Sequence, residues 1–170
     1  NEGDLPVTAT LVASLLDADG QVLDTSTLYM WPELIPPGAI VPYDVNYWEA
    51  VSYNLETLQK VDSYSISLDP YYYEVPERTA VEIAVTDGEW EIASDTLYFR
   101  GTVMVPATGG PYLYVIGSVA DSAGNPLAVA NTLLEATSAG SMPFECIIAL
   151  PEDFDPTGLT FAIQAYLISE

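Results

Sequence analysis

The sequence predicts an all-β fold: two tandem immunoglobulin-like β-sandwich domains with a strand-rich connector. Apolar and polar residues alternate with a period of two along most of the chain, and Gly, Pro, Asp and Asn interrupt the runs at short intervals. Tyr, Thr and Val are frequent, and these residue types favour strands. Short strands at such spacing are typical of sandwiches, although a length of 170 residues alone permits one large domain or two small ones.

The alternating segments are the predicted strands. Few windows show helical periodicity, and only segment 48–60 (WEAVSYNLETLQK) is predicted as a short helix or a turn. The predicted strands, in chain order, are 6–17, 21–30, 40–47, 62–69, 79–85, 89–93, 96–105, 111–121, 126–136, 143–150 and 159–168.

The two halves of the chain share a pattern. In the first half, 7–16 (VTATLVASLL) leads into a D-x-x-G turn at Asp17–Gly20, and in the second, 112–120 (YLYVIGSVA) leads into Asp121–Gly124. Each turn is followed by a return strand. Two further matches come in the same order: PYDV at 42–45 with PFEC at 143–146, and SYSI at 63–66 with TFAI at 160–163. The sequence therefore predicts a tandem repeat.

These motifs resemble the FxLYD-type module, an immunoglobulin-like sandwich of bacterial and archaeal extracellular proteins. Gly101-Thr102-Val103 matches the opening of the module, and Asp121–Gly124 matches its turn. In the first half, Pro36-Pro37-Gly38 matches the loop, and Pro42-Tyr43 begins the strand that follows it. The resemblance implies a sandwich fold and an extracellular or cell-envelope setting, and it implies no catalytic residues.

The halves differ at their starts. Segment 97–105 (LYFRGTVMV) precedes the shared pattern in the second half and has no counterpart in the first. The predicted domains are a sandwich at 1–76 that lacks its first strand, a connector hairpin or donor strand at 77–93, and a sandwich at 94–170. Unpaired sheet edges invite pairing with another chain. Either residues outside this sequence supply the missing strand, or 79–93 folds back to supply it, or a neighbouring copy donates it.

The third alternative predicts a structural subunit of an extracellular fibre or surface layer, which polymerises head to tail by β-strand donation. The first candidate donor is 79–93, read as two strands joined by a turn at Thr86-Asp87-Gly88, and the second is the strand Leu159–Ile168. The predicted subunit interface comprises Val81, Ile83, Val85, Trp90, Ile92, Leu11, Tyr71, Tyr72 and Tyr73.

Charge excludes several partners. The chain has 25 acidic and 3 basic residues, a formal net charge of −22. Such a charge repels nucleic acid and anionic membrane surfaces, and no apolar stretch reaches the ~18 residues of a membrane span. The acidity and the scarcity of Lys favour the cell surface or the extracellular space. Copies of this charge repel one another, so divalent cations are expected to favour assembly.

Enzymatic chemistry is not predicted. The chain has no His, the usual proton shuttle at neutral pH, and it contains no nucleophile-elbow, P-loop or dinucleotide-binding motif. Cys146 is the sole cysteine and lies in an apolar strand pattern, where a thiol acts as a small hydrophobic group. The chain is therefore interpreted as a non-enzyme without a cofactor.

Two acidic groups are weak candidates for a metal site. Asp17 and Asp19 resemble the start of a calcium loop, but the later ligands of such a loop are missing. Glu152, Asp153 and Asp155 lie close together in one predicted loop. A hairpin turn and a solvated acidic loop explain these residues without metal, and weak Ca²⁺ binding stays open as the alternative.

The alternative function is a cell-surface adhesion module that binds carbohydrate or protein through exposed aromatic residues. The aromatic residues considered for stacking on sugars are Tyr71, Tyr72, Tyr73, Trp31, Tyr47, Trp48 and Tyr53. Tyr and Trp are also enriched in cores and subunit interfaces. Packing or a subunit contact is the preferred interpretation, with a glycan partner as the other.

Overall fold

The computed structural model describes residues 1–30, 32–42, 55–69, 73–74, 78–106, 112–136, 138–150 and 154–169. It confirms the all-β class. The elements are β1 (Val7–Thr8), β2 (Thr10–Leu16), β3 (Val22–Tyr29), α1 (Leu55–Leu58), β4 (Ser63–Leu68), β5 (Tyr73–Glu74), β6 (Thr79–Glu82), β7 (Val85–Ala93), β8 (Thr96–Val105), β9 (Tyr112–Ala120), β10 (Pro126–Glu135), β11 (Gly140–Ala149) and β12 (Thr160–Ser169). No helix among the described residues has the length and apolar character needed to cross a membrane.

The second half of the chain is a sandwich of two antiparallel sheets. One has the strand order β10-β9-β12-β6 and the other β11-β8-β7. Alternate residues of each sheet point inward and form one apolar core. Its buried members are Leu97, Phe99, Val103, Val105, Leu113, Val115, Val119, Ala130, Ala136, Phe144, Cys146, Ala165 and Leu167.

Strand β9 is buried on both faces. Leu113 and Val115 point into the sandwich core, whereas Tyr114 and Ile116 belong to a second apolar cluster on the opposite face. Leu34, from the first half of the chain, lies in that second cluster. A strand covered on both sides needs apolar residues at consecutive positions, which explains why the alternation lapses there.

The first half contains the sheet β3-β2-β4, and its hairpin matches the hairpin β9–β10 of the second half. Asp17 Oδ1 accepts the backbone N–H of Asp19 and Gln21, and Asp121 Oδ1 accepts those of Ala123 and Asn125. In both halves a bulge follows the turn at the same place. The shared D-x-x-G pattern therefore corresponds to one hairpin geometry, formed twice.

The third strand of each sheet also matches. Leu16, at the end of β2, pairs with Ser63, and its counterpart Ala120, at the end of β9, pairs with Thr160. Because the register is the same, each residue of β4 has a counterpart in β12. The unit β3-β2-β4 thus corresponds to β10-β9-β12, as the tandem repeat predicts.

The structure corrects the prediction for segment 77–93. β6 pairs with β12 over Tyr166–Ser169, and β7 pairs with β8 along most of its length. The predicted turn at 86–88 lies inside β7 as a bulge, where Asp87 has a φ of 53°. Residues 79–93 are therefore neither a connector hairpin nor a strand folded back onto the first half. They supply two strands of the second sandwich, so the predicted domain boundary at 93/94 is wrong.

Both predicted donor strands are paired within the chain. The 79–93 segment is held by β8 and β12, and the second candidate, Leu159–Ile168, coincides with β12, which lies between β9 and β6. β12 lies inside its sheet, so its removal would break two ladders of hydrogen bonds, whereas β6 and β7 are edge strands and the removal of each would break one. Donation of either segment to another copy therefore requires the loss of pairing within the chain, and it stays a prediction.

Two other predictions concern the first half. Residues 43–47 of the predicted strand 40–47 lie outside the described residues, and 40–42 form no strand. Within segment 48–60, predicted as a short helix or a turn, the described part contains only the single helical turn of α1. β1 and β5 pair with each other, and Val7 forms an isolated bridge with Ile35.

Candidate interaction surfaces

The first candidate surface is the apolar face of the sheet β3-β2-β4, here called the β4 face. Its described apolar members are Leu11, Ala13, Leu15, Tyr64, Ile66 and Leu68, which share one side because Cα partners in the ladders point the same way. Ala13 and Leu15 are buried, but Tyr64 is 69% exposed and Leu68 is 52% exposed. The face is therefore covered at its centre and open along β4.

The second half shows how the same positions are covered when the sandwich is complete. The counterpart of Tyr64 is Phe161, which stacks on Trp90 of β7, and the counterpart of Leu68 is Ala165, which is 0% exposed. The sheet β11-β8-β7 provides this cover. The counterpart of Leu68 is thus buried and that of Tyr64 is partly buried, whereas Tyr64 and Leu68 themselves are exposed.

The outer edge of β4 differs in the same way. In the second half the backbone N–H of Ile83 donates to the C=O of Ala165, at the edge where β6 joins β12. No residue within the described ranges pairs with Leu68 on the corresponding edge of β4. An exposed strand edge beside an exposed apolar side chain is a template for strand addition.

The second candidate surface lies at the N-terminal end of β12, away from the residues that pair with β6, and is here called the β12 groove. β6 leaves Thr160–Gln164 without a described partner on that side of the sheet. A pocket of about 260 Å³ opens at this place. Its lining residues are Val85, Gly88, Glu89, Trp90, Phe99, Phe161 and Ile163.

Aromatic rings give the β12 groove a rigid wall. Trp90 and Phe161 stack with centroids 4.0 Å apart and planes 16° from parallel. Phe99 lies 6.4 Å from Phe161 in a tilted arrangement, at the core side of the pocket. Trp90 nevertheless remains 49% exposed. Stacked aromatic pairs are stabilising beyond the area they bury, so the stack favours this orientation of the exposed indole.

Every basic side chain of the protein forms an ion pair within the chain. The pairs are Lys60–Glu56 at 3.1 Å, Arg78–Glu33 at 2.5 Å, Arg100–Glu91 at 2.7 Å and Arg100–Glu145 at 2.7 Å. Hydrogen bonds to Glu145 and Glu91 raise the pKa of Arg100. The surfaces offered to a partner therefore carry excess carboxylate and no unpaired basic side chain.

A loop of the first half packs against the second sandwich. Leu34 is fully buried against Tyr114 and Tyr166, and Glu33 pairs with Arg78 while accepting a 3.4 Å hydrogen bond from the Tyr114 hydroxyl. Burial, followed by the charge of Glu33, raises the pKa of Tyr114, and burial raises the pKa of Tyr166 to about 12. This contact positions the first half on the outer face of β9 and β12.

The acidic metal candidates are not brought together. Asp17 is engaged by the backbone of its own turn, and Asp155 Oδ1 accepts the backbone N–H of Thr157. Hydrogen bonds from Thr157 lower the pKa of Asp155. Glu152 and Asp153 lie outside the described residues, and among those described no group of three metal-binding side chains occurs. Weak Ca²⁺ binding stays a prediction.

The predicted interface residues fall into different places. Val81 is exposed on the edge strand β6, and Trp90 forms the wall of the β12 groove. Leu11 lies on the β4 face. The other predicted members in the 79–93 segment, Ile83, Val85 and Ile92, are partly buried against the core.

The predicted tyrosine cluster and the sugar-stacking aromatics fall largely outside the described residues: Tyr71, Tyr72, Trp31, Tyr47, Trp48 and Tyr53. The backbone of Tyr73 belongs to β5, but its side chain is not described. Sequence reasoning missed Tyr64 and Leu68, although the S-Y-S-I-S-L pattern of β4 marks them as one apolar stripe between serines.

Cys146 is part of the sandwich core. Its Sγ lies 3.6 Å from the backbone C=O of Val115, on the strand of the facing sheet. Burial raises the pKa of this thiol to about 11. At neutral pH the group is therefore a protonated, apolar core side chain.

Comparisons with protein families, with curated proteins and with solved structures found no match to this chain. The resemblance to FxLYD-type modules accordingly stays a prediction.

Proposed function

We propose that the chain is a non-catalytic structural subunit of an extracellular fibre or surface layer, and that copies associate head to tail by strand addition at the β4 face. The supporting observation is the contrast between Tyr64 and Leu68, which are exposed, and their counterparts Phe161, which is partly buried under Trp90, and Ala165, which is fully buried. An edge strand of a neighbouring copy would pair with the outer edge of β4, as β6 pairs with the outer edge of β12 in the second half, and its inward side chains would lie beside Leu68.

Electrostatics limits how such copies associate. Each copy has a net charge of −22, and its basic side chains are already paired in cis. The apolar contact must therefore act against electrostatic repulsion between copies. Salt at about 0.1–0.15 M screens this repulsion for charges more than about 8–10 Å apart. Assembly should accordingly increase with ionic strength, and more strongly with Ca²⁺ at the same ionic strength.

Electron microscopy and sedimentation velocity of the purified chain, with and without Ca²⁺, test the proposal. Leu68→Lys places a charge on the β4 face and should abolish assembly. Ile147→Lys is the matched control, because Ile147 is 59% exposed on an outward face of the second sandwich. A wild-type chain that stays monomeric at every salt concentration, or equal loss in the two variants, would exclude assembly through the β4 face.

A carbohydrate-binding role is the alternative. The aromatic residues on which it was based lie largely outside the described part of the chain, and no described contact favours it. A glycan array probed with the wild-type chain and with Tyr72→Ala and Trp48→Ala variants separates the two functions, since a fibre subunit requires no glycan.

A further inference from the structure

We propose that the β12 groove binds a basic, extended segment of another protein, which adds as a strand to β12 at Phe161 and Ile163 and inserts an apolar side chain beside Trp90. This inference goes beyond the proposed function and is independent of it. It concerns the second half of the chain and a partner of opposite charge.

The backbone of β12 supplies the first argument. In an antiparallel ladder the N–H and C=O of one residue point to the same side, and the side alternates along the strand. Ala165 directs its C=O to Ile83 of the β6 segment, so Ile163 and Phe161 direct their backbone groups to the same side. Within the described ranges nothing pairs with them there. Two residues of β12 thus present backbone groups that have no partner in the described part of the chain.

The pocket supplies the second argument. Phe161 and Ile163, whose backbone is open, also contribute side chains to the pocket of about 260 Å³. Recognition by strand addition combines these two features: backbone pairing gives affinity, and pockets for alternate side chains give specificity. The stack between Trp90 and Phe161 holds the pocket wall in place before any partner arrives, which lowers the entropy lost on binding.

Charge identifies the occupant. Glu89 lines the pocket, Asp87 lies in the adjoining bulge of β7, and Glu82 ends β6 next to the point where the edge becomes open. A second copy of the chain would bring more negative charge to this place. A strand with Lys or Arg on its outward positions and apolar residues on its inward positions is complementary in both charge and pattern.

Backbone amide NMR of the full chain, at a concentration where it is monomeric, tests the inference. The probe is an acetylated, amidated peptide in which Lys and Val alternate. It should shift the amide signals of Phe161 and Ile163 saturably and slow their hydrogen exchange at least about tenfold, since a new hydrogen bond protects both. Raising NaCl to about 0.5 M should weaken binding at least about fivefold, because the attraction between exposed charges is screened.

Three controls define failure. An alternating Glu and Val peptide tests charge, and a Lys and Val peptide with N-methylated valines tests backbone pairing; either one binding as well as the original overturns the inference. Amide signal shifts that the peptide causes only on other surfaces also overturn the inference. Concentration-dependent shifts at Phe161 and Ile163 without peptide would assign the groove to a second copy instead. None of these results depends on filament formation, so the β4 face and the β12 groove are tested separately.

Discussion

The ring of Phe99 lies on the backbone of Gly117, so close that a Cβ at position 117 would come within 2.6 Å of Phe99 Cγ. Phe99 is on β8 in one sheet and Gly117 on β9 in the other, so this contact joins the two layers of the sandwich. The counterpart of Gly117 in the first half is Ala13. The glycine is therefore required by the ring opposite it, because the same strand position elsewhere in the chain carries a Cβ.

Replacement of Gly117 by alanine should destabilise the sandwich. The added methyl group cannot fit without moving the Phe99 ring, and overpacking of this kind typically costs about 1–3 kcal/mol. Urea denaturation followed by circular dichroism measures the change. In a Phe99→Leu background the same substitution should cost less, and an equal cost in both backgrounds would contradict the steric explanation.

Truncation of Leu34 should weaken the contact between the two halves of the chain. Leu34→Ala removes a fully buried side chain, for which losses of about 2–5 kcal/mol are usual. Ile40→Ala is the matched control in the same loop, since Ile40 is 86% exposed and should change stability by less than about 0.5 kcal/mol. Thermal denaturation of the two variants should separate them, and similar melting temperatures would show that the loop contact contributes little.

The Asp121 turn should make a pH-dependent contribution to stability. Hydrogen bonds, the first from the Asn125 side chain, lower the pKa of Asp121 from its ordinary value of 3.8. A lowered folded-state pKa gives stabilisation that is present above about pH 4 and is lost as the pH falls through the folded pKa. Wild type should therefore exceed Asp121→Asn in stability at pH 6, and the difference should shrink below about pH 3.

Acid titration of both proteins by circular dichroism measures this difference. Asp19→Asn makes the same change of charge in the first-half turn, where no described hydrogen bond is accepted by the Asp19 carboxylate, and it controls for net charge. A constant difference between wild type and Asp121→Asn across the whole pH range would argue against the turn as its source.

The thiol of Cys146 should be unreactive in the folded protein. It is buried, and its pKa of about 11 keeps it protonated throughout the neutral range. Labelling by a thiol reagent at pH 8 should therefore proceed at the rate of unfolding rather than at the rate of an exposed cysteine. Fast labelling without denaturant would mean that β11 opens far more readily than its place in the core suggests.

The sequence predicted strands β8 to β12 well, because each has an alternating or wholly apolar pattern bounded by turn residues. The segment 96–105 agrees with β8 in full. The two D-x-x-G turns were equally predictable, since one Asp side chain satisfies two backbone N–H groups within four residues of chain. Local hydrogen bonds of this kind leave a local sequence signature.

Which strand pairs with which, and which loop residue packs against which strand, was not predictable in the same way. The T-A-V-E pattern of β6 indicates a strand, but its partner Tyr166 lies far along the chain, and no local feature points there. Leu34 is surrounded by prolines rather than by a periodic pattern, so its full burial had no sequence signal. The β12 groove depends on two contacts between distant parts of the chain. β6 pairs with only one end of β12, and β7 places Trp90 beside the other end.

The central position of β12 has a consequence for how the protein is made. β9 is flanked by β10 and β12, and β6 is held only by β12 among the described strands. During synthesis, therefore, one edge of β9 and the whole of β6 lack their pairing partner until residues 160–169, which form β12, leave the ribosome. Exposed apolar edges of this kind are prone to aggregation on a nascent chain. A chaperone that binds these edges until β12 is complete would then reduce aggregation of the nascent chain.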